Sequence, residues 1–219
     1  MRKIVIAGGP GIEIPALIPY MENQYILAAD SGANYLYQHQ IVPDRVLGDM
    51  DSIDRNVLKW AQENNVNMDV FPAEKDMTDS ELCLREFQKS DEILFVTSLT
   101  GRPDHVLSNL LLSGKLAIEG FSICVTDGTS WVYPICGPRI YTFSEKQKKE
   151  TPTVSLLPLF TSVQGVTTTG LYYPLEKAVL HPGSSFSVSN CLGISNMNEE
   201  VSIRIESGTL LVMLVNGAS

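Results

Sequence analysis

The sequence contains no apolar run approaching the roughly 20 residues that a membrane-crossing helix needs. Positive charge is also scarce: 16 Lys and Arg stand against 25 Asp and Glu, a net charge of -9 at pH 7. An acidic balance of that size argues against a broad nucleic-acid or membrane-surface footprint. It still allows a local polyphosphate site, where a metal and a few basic residues screen the charge. Cysteine is sparse, and Cys83, Cys124, Cys136 and Cys191 show no C-x-x-C spacing. Each lies in or beside an apolar stretch, so reduced thiols are expected rather than disulfides or a zinc site. Arg2-Lys3 before Ile4–Ala7 imitates a signal peptide only briefly, because Gly8-Gly9-Pro10-Gly11 ends the apolar run. A cytoplasmic protein is therefore expected. The G-x-x-x-x-G-K-[ST] phosphate loop, the G-x-S-x-G elbow and zinc-type His/Cys spacing are all missing. We detect no repeats or low-complexity tracts.

What is present is enough chain for a sizeable core: 219 residues, 44% hydrophobic and 19% charged. The first part alternates strands with helices. Strands are expected over 3–7, 25–29, 46–48, 66–71, 93–96 and 121–126. Helices follow through Asn34, Leu36 and Tyr37, through Val57, Leu58 and Trp60, through Leu82, Leu84 and Phe87, and over 104–116. Thr78 with Glu81 three residues later reads as a capping box opening the third of these helices. Such alternation predicts an α/β domain with a mainly parallel sheet flanked by helices.

The pattern changes after Asp127-Gly128, a dipeptide that favours a two-residue hairpin. Short β-rich pieces follow at 131–135, 140–143, 154–157, 163–168, 171–173, 186–188, 201–205 and 210–215, with Ser207-Gly208 as another hairpin signal. They predict an all-β domain of sandwich type. The polar run Lys146–Glu150 reads as a linker or a solvated loop, so the domains are expected at residues 1–143 and 144–219.

Chemistry concentrates in Val46-Leu47-Gly48-Asp49-Met50-Asp51-Ser52-Ile53-Asp54. If the apolar run is a strand, Gly48 allows a sharp turn at its end. An extended Asp-x-Asp aims both carboxylates to one side, where they repel unless a cation lies between them. Mg²⁺, which prefers oxygen ligands and substrate phosphates, fits that need; a solvated acidic turn has the same composition.

Three further stretches fall where strands end, the ligand-binding rim of an open parallel sheet. Asp30-Ser31-Gly32-Ala33-Asn34 sets an acid beside a helix start whose N–H groups suit phosphate, or forms an ordinary capped connection. In Glu74-Lys75-Asp76-Met77-Thr78-Asp79, Lys75 is a point charge for phosphate. Asp79 suits a metal, although the helix dipole alone also favours acids there. In Gly101-Arg102-Pro103-Asp104-His105, Arg102 offers a guanidinium fork for phosphate and Asp104 another carboxylate. His105 is either a general base or structural. Five acids with Lys75 and Arg102 at one sheet edge suit Mg²⁺-dependent phosphoryl chemistry.

Gly48-Asp49-Met50-Asp51-Ser52, Lys75-Asp76-Met77-Thr78-Asp79 and Gly101-Arg102-Pro103-Asp104-His105, in that order, resemble the thiamine pyrophosphokinase family. Asp30–Asn34 fits the same pattern. So do Val154–Pro158, Thr168–Leu175, Val188-Ser189-Asn190 and Gly208–Leu211, so the resemblance covers nearly the whole chain. It implies an α/β domain, a β-sandwich domain and a homodimer with active sites between subunits. The implied reaction moves a diphosphoryl group from Mg-ATP to the hydroxyethyl group of thiamine, giving thiamine diphosphate and AMP. Carried over by motif, Asp49, Asp51, Asp79 and Asp104 become metal or phosphate-site acids. Asp30, Asn34, Lys75 and Arg102 handle nucleotide and phosphates, and Tyr173, Ser189 and Asn190 meet thiamine from the partner subunit.

The chemistry agrees with that assignment. An aromatic face such as Tyr173 attracts a cationic thiazolium, unless the ring belongs to the sandwich core. Ser189 and Asn190 offer donors and acceptors for an aminopyrimidine edge; Ser195-Asn196 is a competing pair. The loop Thr97-Ser98-Leu99-Thr100-Gly101 is poorer in glycine than the family pattern. No covalent intermediate is required, and Asp51 or Asp79 is the candidate acceptor for the hydroxyl proton. Two other functions use the same acids: a metal-dependent phosphoester hydrolase, and a non-catalytic thiamine or nucleotide sensor.

Overall fold

The computed structural model describes residues 2–72, 76–150, 152–193 and 199–216. Two compact units emerge, one formed by Met1–Leu112 with Gly120–Gly128, the other by Ser113–Glu119 with Thr129–Ser219.

The first unit runs β1 (Arg2–Ile6), α1 (Ile14–Met21), β2 (Tyr25–Ala29), α2 (Gly32–Gln38), β3 (Arg45–Gly48), α3 (Arg55–Glu63), β4 (Asn67–Val70), α4 (Asp79–Arg85), β5 (Glu92–Val96), the start of α5 (Pro103–Ile118), whose residues from Ser113 on belong to the second unit, and β6 (Ser122–Thr126). The strands lie in the order β4-β3-β2-β1-β5-β6, and every neighbouring pair is parallel. Parallel strands covered on both faces need continuous apolar runs. Ile4-Val5-Ile6 supplies one, with all three side chains fully buried. The chain moves outward from β1 to β4 on one side and returns through β5 and β6 on the other. The crevice beyond the carboxyl ends, where the order reverses between β1 and β5, is where such sheets bind ligands. Thr78 caps α4 as expected, its hydroxyl accepting from the Glu81 N–H at 3.2 Å.

Helix α1 was not foreseen. Pro15 lies in its first turn, where a missing N–H costs nothing, whereas Pro19 removes an intrahelical bond. Burial of Ile14, Leu17 and Met21 along one face offsets that loss.

The second unit is strand-rich: β7 (Ser130–Cys136), β8 (Arg139–Thr142), α6 (Glu145–Glu150), β9 (Thr153–Thr169), β10 (Ala178–Leu180), β11 (Ser202–Ile205) and β12 (Ser207–Val215). The order is β7-β12-β9-β11-β8, with β10 also on β9. The described pairings within the unit are antiparallel. Strand β9 passes through a left-handed residue, Phe160 at φ 60°. Before it the strand pairs with β12; beyond Ser162 it pairs with β10 and β11, while Gln164 still faces Ser207 of β12 across a register shift. Val154, Val163, Ile203 and Val212 nevertheless share one apolar core, as a sandwich requires.

Several expectations change here. Strands β7 and β8 pack with the second unit, contributing Ile135 to its core. Lys146–Glu150 belongs to helix α6 rather than a linker. Ser144 and Gln147 form a reciprocal capping box, with the Gln147 N–H donating to Ser144 Oγ and the Ser144 N–H donating to Gln147 Oε1. Ser207-Gly208 makes no hairpin, because β11 pairs with β8 and β9 while β12 pairs with β7 and β9. Residues 171–173 hold only an isolated bridge, Leu171 to Leu192, and Phe186–Val188 turns.

Candidate active site

Asp30 and the Asp49–Asp51 pair directly follow strand ends of the first unit, after β2 and β3. Asp30 follows β2 in a left-handed conformation, φ 44°. A side chain on Gly48, where β3 ends, would meet the Cβ of Asp30 at 2.9 Å. Glycine there lets the two strand ends approach. Asp49 and Asp51 are not extended, contrary to expectation: Met50 between them is left-handed at φ 66°. The Asp51 N–H donates to Asp49 Oδ1 at 3.2 Å, and Ser52 Oγ donates to Asp51 Oδ1 at 2.8 Å. The turn still gathers the acids. Asp30, Asp49 and Asp51 each offer an oxygen within 4.8 Å of the others.

Asp30 is the unusual member. Its Oδ1 is buried and accepts no hydrogen bond. Burial raises its pKa above the ordinary carboxylate value, and the charges of Asp49 and Asp79 add to the rise. Hydrogen bonds with Ser31 and Ser52 oppose it. A desolvated carboxylate with an unused oxygen, surrounded by like charge, suits a hard divalent cation.

A cleft of about 460 Å³ opens at the switch point, walled by Gly8, Gly9 and Pro10 after β1, Asp30 and Ser31 after β2, and Thr97 and Ser98 after β5. Asp79, Arg102 and Asp104 complete it from the starts of α4 and α5. Arg102 and Asp104 pair with each other at 2.6 Å, with both side chains largely exposed. The Arg102 guanidinium holds the Asp104 carboxyl down at about 2. Asp104 therefore stands on the wall bearing Arg102 and is not a member of the three-acid group. Asn34 is absent from the cleft walls. Its Nδ2 donates to the Ser52 carbonyl at 3.0 Å, and its Oδ1 accepts from the Asp54 N–H at 3.1 Å. Lys75 and the Ser195-Asn196 pair lie outside the described residues.

Gly8-Gly9-Pro10, which reads in the sequence as a turn only, is part of the cleft wall. The signal for more was there, since a glycine-rich turn directly after the first strand of an open α/β sheet borders its binding crevice.

In the second unit, an apolar groove of about 320 Å³ is lined by Leu156, Tyr173, Pro174, Leu175, Phe186, Ser187, Val188 and Asn190. Tyr173 is 63% exposed, so it is not a core aromatic, and it rests edge-on against Tyr172. The Asn190 side chain is committed to backbone. Its Oδ1 accepts from Tyr173 N at 3.1 Å and Cys191 N at 2.9 Å, and its Nδ2 donates to Tyr173 O at 2.8 Å. Asn190 shapes the groove by fixing Tyr173. Ser189 is left-handed, with its N–H on Ser155 Oγ, and it is not part of the groove wall. Phe186, 70% exposed, was missed because its segment was expected to be a strand.

Taken together, the fold and the cleft define a two-unit protein with an acid-lined, metal-suited crevice in the α/β unit and an aromatic groove in the β unit. Residues 20–125 match the family model described as thiamin pyrophosphokinase, catalytic domain, and residues 141–210 match thiamin pyrophosphokinase, vitamin B1 binding domain. The chain is 29% identical over 189 residues to the thiamine pyrophosphokinase of Bacillus subtilis (strain 168), covering 85% of this chain and 87% of that protein. It is 25% identical over 213 residues to thiamine pyrophosphokinase 1 of Arabidopsis thaliana, covering 87% and 77%. The crystal structure of the Bacillus subtilis thiamine pyrophosphokinase superposes with a TM-score of 0.85 at 26% identity, covering 99% of this chain and 100% of that one. Yeast thiamin pyrophosphokinase shares the fold, with a TM-score of 0.79 at 16% identity over 98% and 86% of the two chains. The chain belongs to the thiamine pyrophosphokinase family.

Proposed function

We propose that the chain transfers the terminal diphosphoryl group of ATP to the hydroxyethyl oxygen of thiamine, releasing AMP, and that Mg²⁺ assists. Asp30, Asp49 and Asp51 would hold the cation. The observation that carries this reading is the buried, unpartnered Oδ1 of Asp30 among two further carboxylates. When bound, Mg²⁺ neutralises phosphate charge as it builds on the transferred and leaving groups.

The chain's own residues do the rest. Arg102 exchanges Asp104 for phosphate, meeting it with a planar fork, and Lys75 adds a second positive charge. Asp79 shares the cleft and contributes to its negative field. The cleft walls fix the triphosphate for attack at the β-phosphorus, and alignment of this kind supplies a large share of the rate. In the second unit, Tyr173 presents its ring to the thiazolium, with Phe186 and Val188 excluding water from the groove. Asn190 braces the backbone beside that groove, and Ser189 is held nearby by its own N–H on Ser155 Oγ.

A homodimer follows from the same reading, with one protomer's groove serving its partner's cleft. The exposed apolar side chains Tyr172, Tyr173 and Phe186 support it. A vitamin B1 binding model over 141–210 also gives the β unit a task that a phosphoester hydrolase leaves unfilled. The test is ³¹P NMR of ATP, Mg²⁺ and thiamine with the protein. Signals of AMP and thiamine diphosphate are expected, and accumulation of ADP or free phosphate in their place refutes the proposal.

A further inference from the structure

We infer that Asn34 is a positioning residue for the acids: by fastening the chain just beyond Asp51, it holds Asp49 and Asp51 beside Asp30 against their mutual repulsion. This rests on the metal-binding reading of those acids. Asn34 sits in the first turn of α2, four residues after Asp30. It reaches across to the neighbouring loop with both ends of its amide, donating to Ser52 O and accepting from Asp54 N–H. Reversing the amide would set donor against donor and acceptor against acceptor, so the pair of bonds defines its orientation. An aspartate could not serve Ser52, because its ionised carboxylate has no proton to donate.

The acidic loop is thus secured at two points. At its start, Gly48 is packed against Asp30 at the end of β3. At its close, Asn34 grips Ser52 and Asp54. The left-handed turn at Met50 and both acids lie between these anchors. Three carboxylates within 4.8 Å of one another push apart whenever no cation is bound. With the second anchor removed, the loop relaxes away from Asp30 and the acids no longer converge. Asn34, like Asp49 and Asp51, is not among the residues lining the cleft, and both ends of its amide are taken by backbone, so it acts through the acids.

The experiment uses Mn²⁺ as a spectroscopic probe on the full chain, with free Mn²⁺ followed by electron paramagnetic resonance and thermal melting recorded alongside. Asn34→Ala should weaken Mn²⁺ binding about 10-fold, the usual scale for losing a residue that orients metal ligands. Turnover should fall with the KM for thiamine unchanged. Asn64→Ala is the control. It removes an amide-to-backbone bond of the same kind, Nδ2 to the Trp60 carbonyl at 2.9 Å, at the end of α3, and should leave Mn²⁺ affinity unchanged. An Asn34→Ala chain that melts earlier yet binds Mn²⁺ like wild type overturns the inference. If that variant fails to fold, Asn34→Gln displaces both bonds while remaining polar, and unchanged Mn²⁺ affinity there overturns it equally. A wild-type chain that binds no Mn²⁺ refutes the reading of the acids instead.

Discussion

Gly48 and Asp30 sit so close that a methyl group on the first would stand 2.9 Å from the Cβ of the second and 3.2 Å from its Cα. Those are backbone-anchored atoms with no flexible end to swing aside. This contact holds the ends of β3 and β2 together, alongside the Asp30 N–H bond to the Leu47 carbonyl, and it positions the acid whose Oδ1 is buried without a partner.

Gly48→Ala should consequently harm activity more than stability. Overpacking of this kind costs roughly 1–3 kcal/mol in folding. A displacement of Asp30 by about 1 Å should cost on the order of 100-fold in turnover. Steady-state rates and urea unfolding of the same preparation separate the two. Full activity in Gly48→Ala would mean that the acid tolerates movement.

Asp30 should weaken the metal-free protein. Its folded pKa lies above the unfolded value of 3.8, chiefly through burial. The folded chain therefore prefers the protonated acid, and ionisation lowers stability as pH rises from the unfolded value through the folded one. In chelator at pH 7, Asp30→Asn should melt higher than wild type, and the difference should vanish below pH 3. Divalent cation should raise the melting temperature of wild type and leave Asp30→Asn unmoved. A variant that melts lower at pH 7 contradicts the assignment.

Asp51→Asn should retain the fold, since Asp51 is exposed, while turnover falls at least about 100-fold through lost charge at the phosphate site. An active, Mg²⁺-responsive variant would discard this role.

Arg102→Ala should raise the KM for ATP about 10- to 100-fold, the scale of one or two charge-assisted hydrogen bonds. Stability should barely change, because the Arg102–Asp104 pair is largely solvated. Lysine at position 102 should restore only part of the loss, lacking the planar fork.

Much of this architecture is legible in the sequence because two periodicities alternate cleanly. Ile4-Val5-Ile6 and Ile93–Val96 announce buried strands, and Thr78 with Glu81 announces a helix start. What failed to show has physical causes. Helix α1 is hidden by two prolines whose cost only tertiary burial of Leu17 and Met21 offsets. Helix α6 is hidden because a polar hexapeptide resembles a linker unless its Ser144/Gln147 cap is noticed. The acids Asp49 and Asp51 were found by composition, but their convergence came through a left-handed Met50 rather than an extended pair, and φ at a non-glycine residue leaves no mark in sequence. Resemblance assigns Asn34 to nucleotide and Asn190 to thiamine; in the fold both amides are occupied by backbone, which a motif does not show.

The central claim is that the acid cleft and the aromatic groove serve one transfer reaction between two substrates. Its most direct test is to incubate the protein with ATP and Mg²⁺, with and without thiamine, and quantify products by mass spectrometry. We predict one AMP for each thiamine diphosphate, abolished by chelator and by omission of thiamine. Phosphate or ADP formed at the same rate without thiamine would contradict it.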